Sequence, residues 1–464
     1  MKILIVGNDP HEIGGVANYT RPLATCLAES GHQVYYFYSG AYGKKYNWFF
    51  FPYLRIDRKS FPFECAQVMN SPNLVYNFDN PTLDIRSPKI ERLFKTYLDR
   101  VRPDVVHIHS RCGLPSSIAG IAGGLGVPVF STIHVYGFLC QKRVMIDRAG
   151  EPCTGPENLE KCAICGVDIG RRKFKFTSRL DSTSNALTGL LVRMKHFMRR
   201  AVPSQKPSEL SAPAVFPSPF RVESQAARLR FNVEMMNKSI NLNICVSEDV
   251  KNTLRRHGVR NEKLQVQHIG SVIAEKQIFT KRPLHSPLVI GNIGGVNYYK
   301  GTHILVEAVS KLATEGFVVR IFGKYQQDFV DKIMAGKMGL PVVFEGRYLP
   351  EDLPEILDQI DIMVLPSICN DTAPQTIFES FSQYVPIIAP NIGGFPDFVR
   401  HEVNGLLFRA GDSDELAEKL KSVILNPECI GRYRQNIPRL KTIRENVDEL
   451  IMLYDRQIKQ SARL

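Results

Sequence analysis

The sequence predicts an α/β protein built from two domains. Short apolar segments of strand type alternate with helical patterns along most of the chain, an alternation typical of parallel sheets covered by helices. The length of 464 residues exceeds what a single hydrophobic core usually serves. We therefore expect a first domain over residues 1–275 and a second over residues 286–440, joined by a segment with little pattern.

The composition is that of a globular protein that binds anions. Hydrophobic residues make up 44% and charged residues 23% of the chain, while the formal net charge is +13. Such an excess favours nucleotides, nucleic acid or an anionic membrane face as partners. No apolar run approaches the ~20 residues that span a bilayer, and the N-terminus resembles a buried strand rather than a signal peptide. We therefore expect a cytoplasmic protein.

The first predicted elements form a βαβ unit. A strand within residues 1–9 is followed by Gly14 and Gly15 at the start of a helix, and a second strand begins at Gln33. Glycines at a helix start suit a phosphate, and a tight turn explains them equally well. The spacing is not G-x-G-x-x-G, and no acid ends the second strand. An NAD-dependent oxidoreductase is therefore disfavoured.

Two further predicted strands end in histidines. The strand over residues 104–109 ends at His109, and the strand over residues 127–134 ends at His134. Ligands of open α/β sheets bind outside the carboxyl ends of the strands, although a lone histidine there is more often structural. Tyr136 and a group of cysteines follow His134 directly, which favours a site at His134.

A cysteine-rich and basic insertion is expected at about residues 140–225. Its cysteines end in a C-x-x-C pair and predict either a structural zinc site or four free thiols. The cysteines are Cys140, Cys153, Cys162 and Cys165.

Residues 171–200 of this insertion hold nine Lys and Arg against one acid, Asp181, interleaved with apolar residues at helical spacing. This pattern predicts either a helix lying on anionic lipid or a helix packed on the domain. Nucleic acid is disfavoured, because few aromatic residues interleave with the charges and no known module is present.

The second domain contains the predicted ligand pocket. Its first strand leads to Gly294 and Gly295, and Lys300 follows before a helix. Further along, a strand at 362–365 precedes Asp371, and the spacing of Thr372 and Gln375 predicts a capping box at a helix start, with Pro374 in the first turn.

That helix start suits phosphate or sugar oxygens, and a second acid, Glu379, lies on the helix. Asp412 is expected to cap a later helix rather than to bind metal. Residues 443–464 form a last predicted helix, which we expect to pack on the first domain because few apolar partners lie nearby in sequence.

The order of these motifs resembles the family 4 type of GT-B glycosyltransferases. The motifs are G-G-V-x-x-Y-T-x-x-L-A, D-V-V-H-I-H, T-I-H, S-E-D-V-K-N, K-G-T-x-x-L-V-E-A, D-x-M-V-L-P-S, an acid-x7-Glu, and G-G-F-P-D-F-V-x-x-x-x-N-G-L-L-F. The resemblance implies two Rossmann-like domains facing a cleft, an acceptor on the first and a nucleotide sugar on the second. It also implies retaining, metal-independent transfer and a cysteine cluster like one seen in some members.

The resemblance also implies roles for individual residues. Lys300 corresponds to the lysine on the donor diphosphate and Asp371 to the acid on the sugar hydroxyls, while His134 lies near the transferred sugar; these three are the expected catalytic residues. The remaining donor-binding residues lie on the glycine loops and at the helix start: Gly15, Gly294, Gly295, Thr372, Gln375, Thr376 and Glu379, the last on the ribose.

Three positions depart from the family pattern. Gly294 stands where an arginine is usual, Asp371 replaces a glutamate, and Pro374 replaces a glycine. We expect a UDP- or GDP-linked donor and a lipid-linked glycan acceptor of surface polysaccharide synthesis, met at the inner face of the membrane. No cofactor is expected for catalysis. The predicted zinc would be structural. The alternative is a non-catalytic protein that binds sugar nucleotides, which the missing arginine favours.

Overall fold

The computed structural model describes residues 1–39, 52–71, 73, 77, 78, 80–165, 217–279 and 282–461. The predicted basic segment at 171–200 lies outside these residues. Within them the chain forms two sheets, one on each side of the connection near residue 280, and the elements below are numbered within the described part.

The first sheet has eight strands in the order β3-β4-β2-β1-β5-β6-β7-β8, and every neighbouring pair is parallel except β3 with β4. Its central strands are continuous apolar runs because helices cover both faces; Ile3 to Val6, for example, are fully buried. The strands are β1 Lys2–Gly7, β2 Gln33–Ser39, β3 Tyr53–Asp57, β4 Glu64–Met69, β5 Val105–Ile108, β6 Val129–Ile133, β7 Leu242–Cys245 and β8 Leu264–Val266.

Six described helices accompany this sheet. They are α1 Gly15–Glu29, α2 Pro88–Val101, α3 Ile118–Gly124, α4 Leu159–Ile164, α5 Pro219–Lys238 and α6 Glu248–Arg256. α5 begins at Pro219, because the Ser218 side chain accepts a hydrogen bond from the Arg221 backbone N–H and Pro219 occupies the first turn, a favourable start for a helix. Residue 225, the expected end of the insertion, thus lies inside α5.

The second sheet has six strands in the order β11-β10-β9-β12-β13-β14, all parallel. The strands are β9 Leu288–Ile293, β10 Phe317–Phe322, β11 Val342–Gly346, β12 Ile362–Val364, β13 Ile387–Pro390 and β14 Gly405–Phe408. The helices are α7 Thr302–Ser310, α8 Gln327–Met334, α9 Leu353–Asp358, α10 Gln375–Ser382, α11 Phe395–Phe398, α12 Ser413–Leu425 and α13 Cys429–Gln435. The Asp412 side chain accepts from the N–H groups of Asp414 and Glu415, so the predicted cap is confirmed.

The last helix, α14 Ile443–Ser461, returns to the first domain as predicted. Tyr454 is fully buried there, and its hydroxyl lies 2.5 Å from Nδ1 of His107 in β5. The Asn446 Oδ1 accepts from the Tyr19 hydroxyl of α1 at 2.7 Å. The final segment of the chain is therefore part of the core of the first domain.

The predicted fold class is confirmed: two α/β domains on parallel sheets. Among the described helices, none is both long and apolar enough to cross a membrane. The two domains touch beyond the carboxyl end of β6, where the Thr372 hydroxyl donates to the His134 carbonyl at 2.6 Å. This contact places the loop before α10 against the first sheet.

Candidate active site

Lys300 and Asp371 form an ion pair at the centre of the candidate site. The Lys300 ammonium lies 2.7 Å from Asp371 Oδ2, and the Ser367 hydroxyl donates to the same oxygen at 3.1 Å. Burial opposes the charge of Lys300, but the Asp371 carboxylate raises the pKa of Lys300 overall. Lys300 is therefore a cation at neutral pH, held against a carboxylate that is still partly exposed.

A close backbone approach positions Lys300. Gly301 has φ +71°, and a Cβ at this residue would lie 1.7 Å from the carbonyl oxygen of Pro366. Only glycine fits such a position, since a side chain would clash and the left-handed conformation already disfavours one. The loop before α7 is thereby pressed against the end of β12, which brings Lys300 within reach of Asp371.

The start of α10 differs from the prediction. Pro374 occupies the N-cap position and no side chain caps the helix, so the predicted capping box of Thr372 and Gln375 is wrong. The Thr372 hydroxyl donates instead to the His134 carbonyl of the other domain. The first N–H groups of a helix have no partner within it, and those of Gln375 and Thr376 are thus suited to a ligand oxygen.

The glycine loop after β9 lies against the start of α10. Gly294 has φ +121°, and its missing Cβ would lie 3.8 Å from the Thr376 side chain of α10, so the structure brings the loop after β9 together with α10. Gly295 follows in the same loop. Gly15 begins α1 in the first domain, with open space where a side chain would be. The predicted roles of these three glycines in donor binding stay predictions, including that of Gly15 beside the donor phosphates.

Glu379 lies one turn into α10 and is partly buried. Burial raises the pKa of the Glu379 carboxyl, and the charge of Glu379 contributes to the raised pKa of the nearby Tyr348. A desolvated carboxylate is suited to accept hydrogen bonds from hydroxyl groups such as those of a ribose. The role of Glu379 on a nucleotide remains a prediction.

The histidines of the first domain form a buried cluster. His109 Nδ1 lies 3.1 Å from His134 Nε2, and His107 Nε2 lies 2.8 Å from the Thr132 hydroxyl. Burial lowers the pKa of His107 and of His134 to about 3. His134 is therefore neutral at physiological pH and can exchange hydrogen bonds with a sugar without adding charge.

Sequence reasoning missed two residues of this region, Ser367 and Asp397. Ser367 supports Asp371, while Asp397 joins the domains: its Oδ2 accepts from the Glu248 N–H at 2.8 Å and lies 2.9 Å from His268 Nε2. Both residues lie inside motifs that carry the family resemblance. Membership of those motifs was the available signal, because the partners of Asp397 lie 129 and 149 residues away, and a serine four residues before an acid is not a pattern by itself.

The four cysteines of the insertion line one cavity, next to Ile146. Burial and the neighbouring thiols raise the pKa of Cys162 to about 12 and that of Cys165 to about 11. The Cys153 and Cys165 thiols lie near the carbonyls of Gly155 and Ile146. In the described part of the chain, no three His, Cys, Asp or Glu side chains are placed to hold a metal ion. Four cysteine thiols are ligands that suit zinc, but their described arrangement is not that of a metal site. The zinc site therefore stays a prediction.

Two family matches fall on one segment of each domain. The family described as Glycosyltransferase Family 4 matches residues 13–149, and the family described as Glycosyl transferases group 1 matches residues 287–426.

Curated relatives match over shorter regions. The Arabidopsis thaliana sulfoquinovosyl transferase SQD2 is 28% identical over 31% of this chain and 27% of its own length. The Erwinia amylovora amylovoran biosynthesis glycosyltransferase AmsK is 25% identical over 34% of this chain and 42% of its own. The Escherichia coli O-antigen chain mannosyltransferase C is 25% identical over 43% and 52%. The chain thus spans about a quarter to half of the length of these relatives.

Solved structures match over nearly the whole chain. Anabaena Alr3699/HepE in complex with UDP has a TM-score of 0.56 at 16% identity, covering 97% of this chain and 100% of that one. The sucrose-phosphate synthase of Thermosynechococcus elongatus has a TM-score of 0.62 at 15% identity, covering 99% of both. These likenesses show a shared fold. Together with the two family matches, they establish that the chain belongs to the family 4 type of GT-B glycosyltransferases.

Proposed function

We propose that the protein is a retaining glycosyltransferase that moves a sugar from a UDP-linked donor to an acceptor. The observation that carries this proposal is the Lys300–Asp371 pair at the uncapped start of α10. A cation and free N–H groups beside a carboxylate suit a diphosphate and a sugar together. The choice of UDP is supported by the HepE structures, which hold UDP and UDP-glucose.

Each site residue has a task in this proposal. Lys300 binds the diphosphate and stabilises the charge that develops on it as the glycosidic bond breaks, while Asp371 accepts from the sugar hydroxyls. Glu379 accepts from the ribose, and the neutral His134 exchanges hydrogen bonds with the transferred sugar. The acceptor hydroxyl then attacks from the face that the diphosphate leaves, which requires positioning rather than a protein nucleophile.

A thermal-shift screen with UDP, GDP and their sugar conjugates tests the donor. A ligand that binds only the folded state raises the unfolding midpoint, and we expect UDP and one UDP-sugar to do so. Release of UDP from that donor by the purified protein, also in the presence of EDTA, then distinguishes an enzyme from a non-catalytic binding protein. Binding without any release of UDP would contradict catalysis.

For the acceptor, we propose a lipid-linked glycan of surface polysaccharide synthesis, met at the inner face of the cell membrane. The amylovoran and O-antigen relatives act in such syntheses by name, and residues 171–200 are strongly basic. Basic segments bind anionic lipid by charge. We expect cosedimentation with anionic liposomes at physiological salt but not with neutral ones; equal recovery with both would contradict the membrane proposal.

Replacing Glu379 with glutamine is expected to weaken UDP binding about tenfold, the loss of one charge-assisted hydrogen bond. The same change should raise thermal stability at pH 7. Burial raises the pKa of Glu379. Ionising this carboxyl therefore costs more free energy in the folded state than in the unfolded state once the pH rises above about 4.3, the pKa of a glutamate in the unfolded chain. The stability gain should therefore vanish near pH 4. Calorimetric titration and melting curves measure both effects, with Glu418→Gln on the exposed face of α12 as control.

We also propose that the four cysteines bind a structural zinc ion, with their side chains drawn together from the described arrangement on binding; the support is their thiol chemistry and the cavity that they share. Elemental analysis of the purified protein should give about one zinc per chain. Cys162→Ser should lower both the zinc content and the unfolding midpoint. The control is Cys26→Ser, which changes a cysteine of α1 outside the group of four and should leave the zinc content unchanged. Fully active protein that contains no zinc would refute the site.

A further inference from the structure

A second polar pocket lies in the first domain, at the carboxyl ends of β5 and β6. We call it the arginine pocket, and among its lining residues are Asp84, Arg111, Ser131, Gln141, Arg143 and Arg228. His109 and His134 also line it. The pocket therefore adjoins the contact between the His134 carbonyl and Thr372 of the donor domain.

The charge of this lining is positive. Three arginines face one aspartate, which gives a formal charge of +2. Arg228 already uses that aspartate: its Nε lies 3.2 Å from Asp84 Oδ2, and its Nη1 donates to the Leu139 carbonyl at 3.1 Å. The Arg228 side chain is almost wholly buried, so this pair is a structural part of the pocket wall.

Arg111 has no charged hydrogen-bond partner among the described residues, and the Asp84 carboxylate acts on it only through space. Its guanidinium donates to the Ser116 hydroxyl and to the Gly137 carbonyl, and it stacks 3.9 Å from the centre of the Phe138 ring. None of these partners carries a charge. Burial, together with the charge of Arg228, lowers the pKa of Arg111 to about 9. Because arginine stays protonated in proteins, this environment is one in which an added anion stabilises the cation.

Three buried polar atoms in the lining have no hydrogen-bond partner among the described residues. They are His109 Nε2, Ser131 Oγ and Gln141 Nε2, on side chains that are 3%, 0% and 8% exposed. Buried polar groups are nearly always paired, and each of these atoms can donate a hydrogen bond. Unpaired donors in a lining of net positive charge point to an oxyanion as the missing partner.

We propose that the arginine pocket binds a phosphate group of the acceptor. A phosphate monoester carries about two negative charges at pH 7, and a diphosphate bridge between lipid and sugar carries one charge on each of its phosphates. Either matches the formal charge of the lining better than a carboxylate does. Arginine and hydroxyl donors suit its oxygens. The inference rests on the proposed transfer reaction, in which the donor phosphates lie at Lys300 across the domain contact, so the two phosphate sites are distinct.

Isothermal titration of pyrophosphate tests the pocket, with saturating UDP present to fill the donor site. We expect binding by the wild type, at least tenfold weaker binding by Arg111→Gln, and intermediate binding by Arg111→Lys. Arg92→Gln, a change on the exposed face of α2, should behave as the wild type. If Arg111→Gln does not fold, Arg143→Gln replaces it. Unchanged affinity in the glutamine variant, or no binding by the wild type, overturns the proposal.

Two further titrations separate this proposal from the proposed function. Arg111→Gln should retain the UDP affinity of the wild type, and Lys300→Ala should retain pyrophosphate binding. If the wild type binds no UDP, the donor proposal fails, while pyrophosphate binding by Lys300→Ala still tests the pocket. If UDP displaces all pyrophosphate from the wild type, the phosphate belongs to the donor and the arginine pocket is not its site.

Discussion

Lys300→Ala is expected to lower kcat for sugar transfer by about 10²–10³-fold, the usual effect of removing one preorganised charge-stabilising group. The ammonium of Lys300 lies 2.7 Å from Asp371, a residue of the loop that leads into α10. Without it, the departing diphosphate retains the helix N–H groups but loses its positive counter-charge. The donor affinity should fall less than kcat, since charge on the leaving oxygen grows in the transition state.

The control for this experiment is Lys421→Ala, which removes an exposed lysine of α12 in the same domain and should leave kcat unchanged. The unfolding midpoint of Lys300→Ala should stay close to that of the wild type, because both members of the ion pair are partly exposed and such pairs contribute little to stability. Transfer by Lys300→Ala within a factor of three of the wild type would refute the assignment.

The second large effect concerns stability. Asp361 is fully buried before β12, where its carboxylate accepts from the Val289 N–H at 2.9 Å and from Arg434 at 3.3 Å. The His285 N–H donates to it as well. Asp361→Asn leaves the Arg434 cation buried without a counter-charge, and breaking a buried pair in this way costs about 3–5 kcal/mol. Urea unfolding followed by circular dichroism should show this loss.

The same domain provides a matched control. Arg282 pairs with Asp358 at 2.8 Å, but the Asp358 side chain is 79% exposed. Asp358→Asn should therefore change the free energy of unfolding by less than about 1 kcal/mol. Equal losses in the free energy of unfolding from the two variants would show that burial does not determine how much the Asp361 pair stabilises the fold.

Much of the fold could be predicted from the sequence because its causes are local. Alternating apolar strands and helices predicted two α/β domains, and the acid at Asp412 predicted a helix cap that the structure contains. The predictions failed where a partner lay far along the chain. Thr372 has the right spacing for a capping box, yet its hydroxyl bonds to His134, 238 residues away.

The residues of the two candidate sites also differ in whether the sequence could predict them. Lys300 and Asp371 were predicted by motif, and the structure brings them together across 71 residues. The arginine pocket had no sequence pattern, since Asp84 and Arg228 are 144 residues apart and single arginines are common on surfaces. Only the return of α5 to the first sheet makes those charges neighbours.

The sequence by itself determined the fold class, because hydrophobic period, caps and glycine turns act over a few residues. Its motifs also named Lys300 and Asp371 as candidate site residues. Tertiary structure alone decided which charged side chains form ion pairs. Lys300 with Asp371, Asp361 with Arg434 and Arg228 with Asp84 are pairs whose energies depend on distance and burial, and both quantities exist only once the chain has folded.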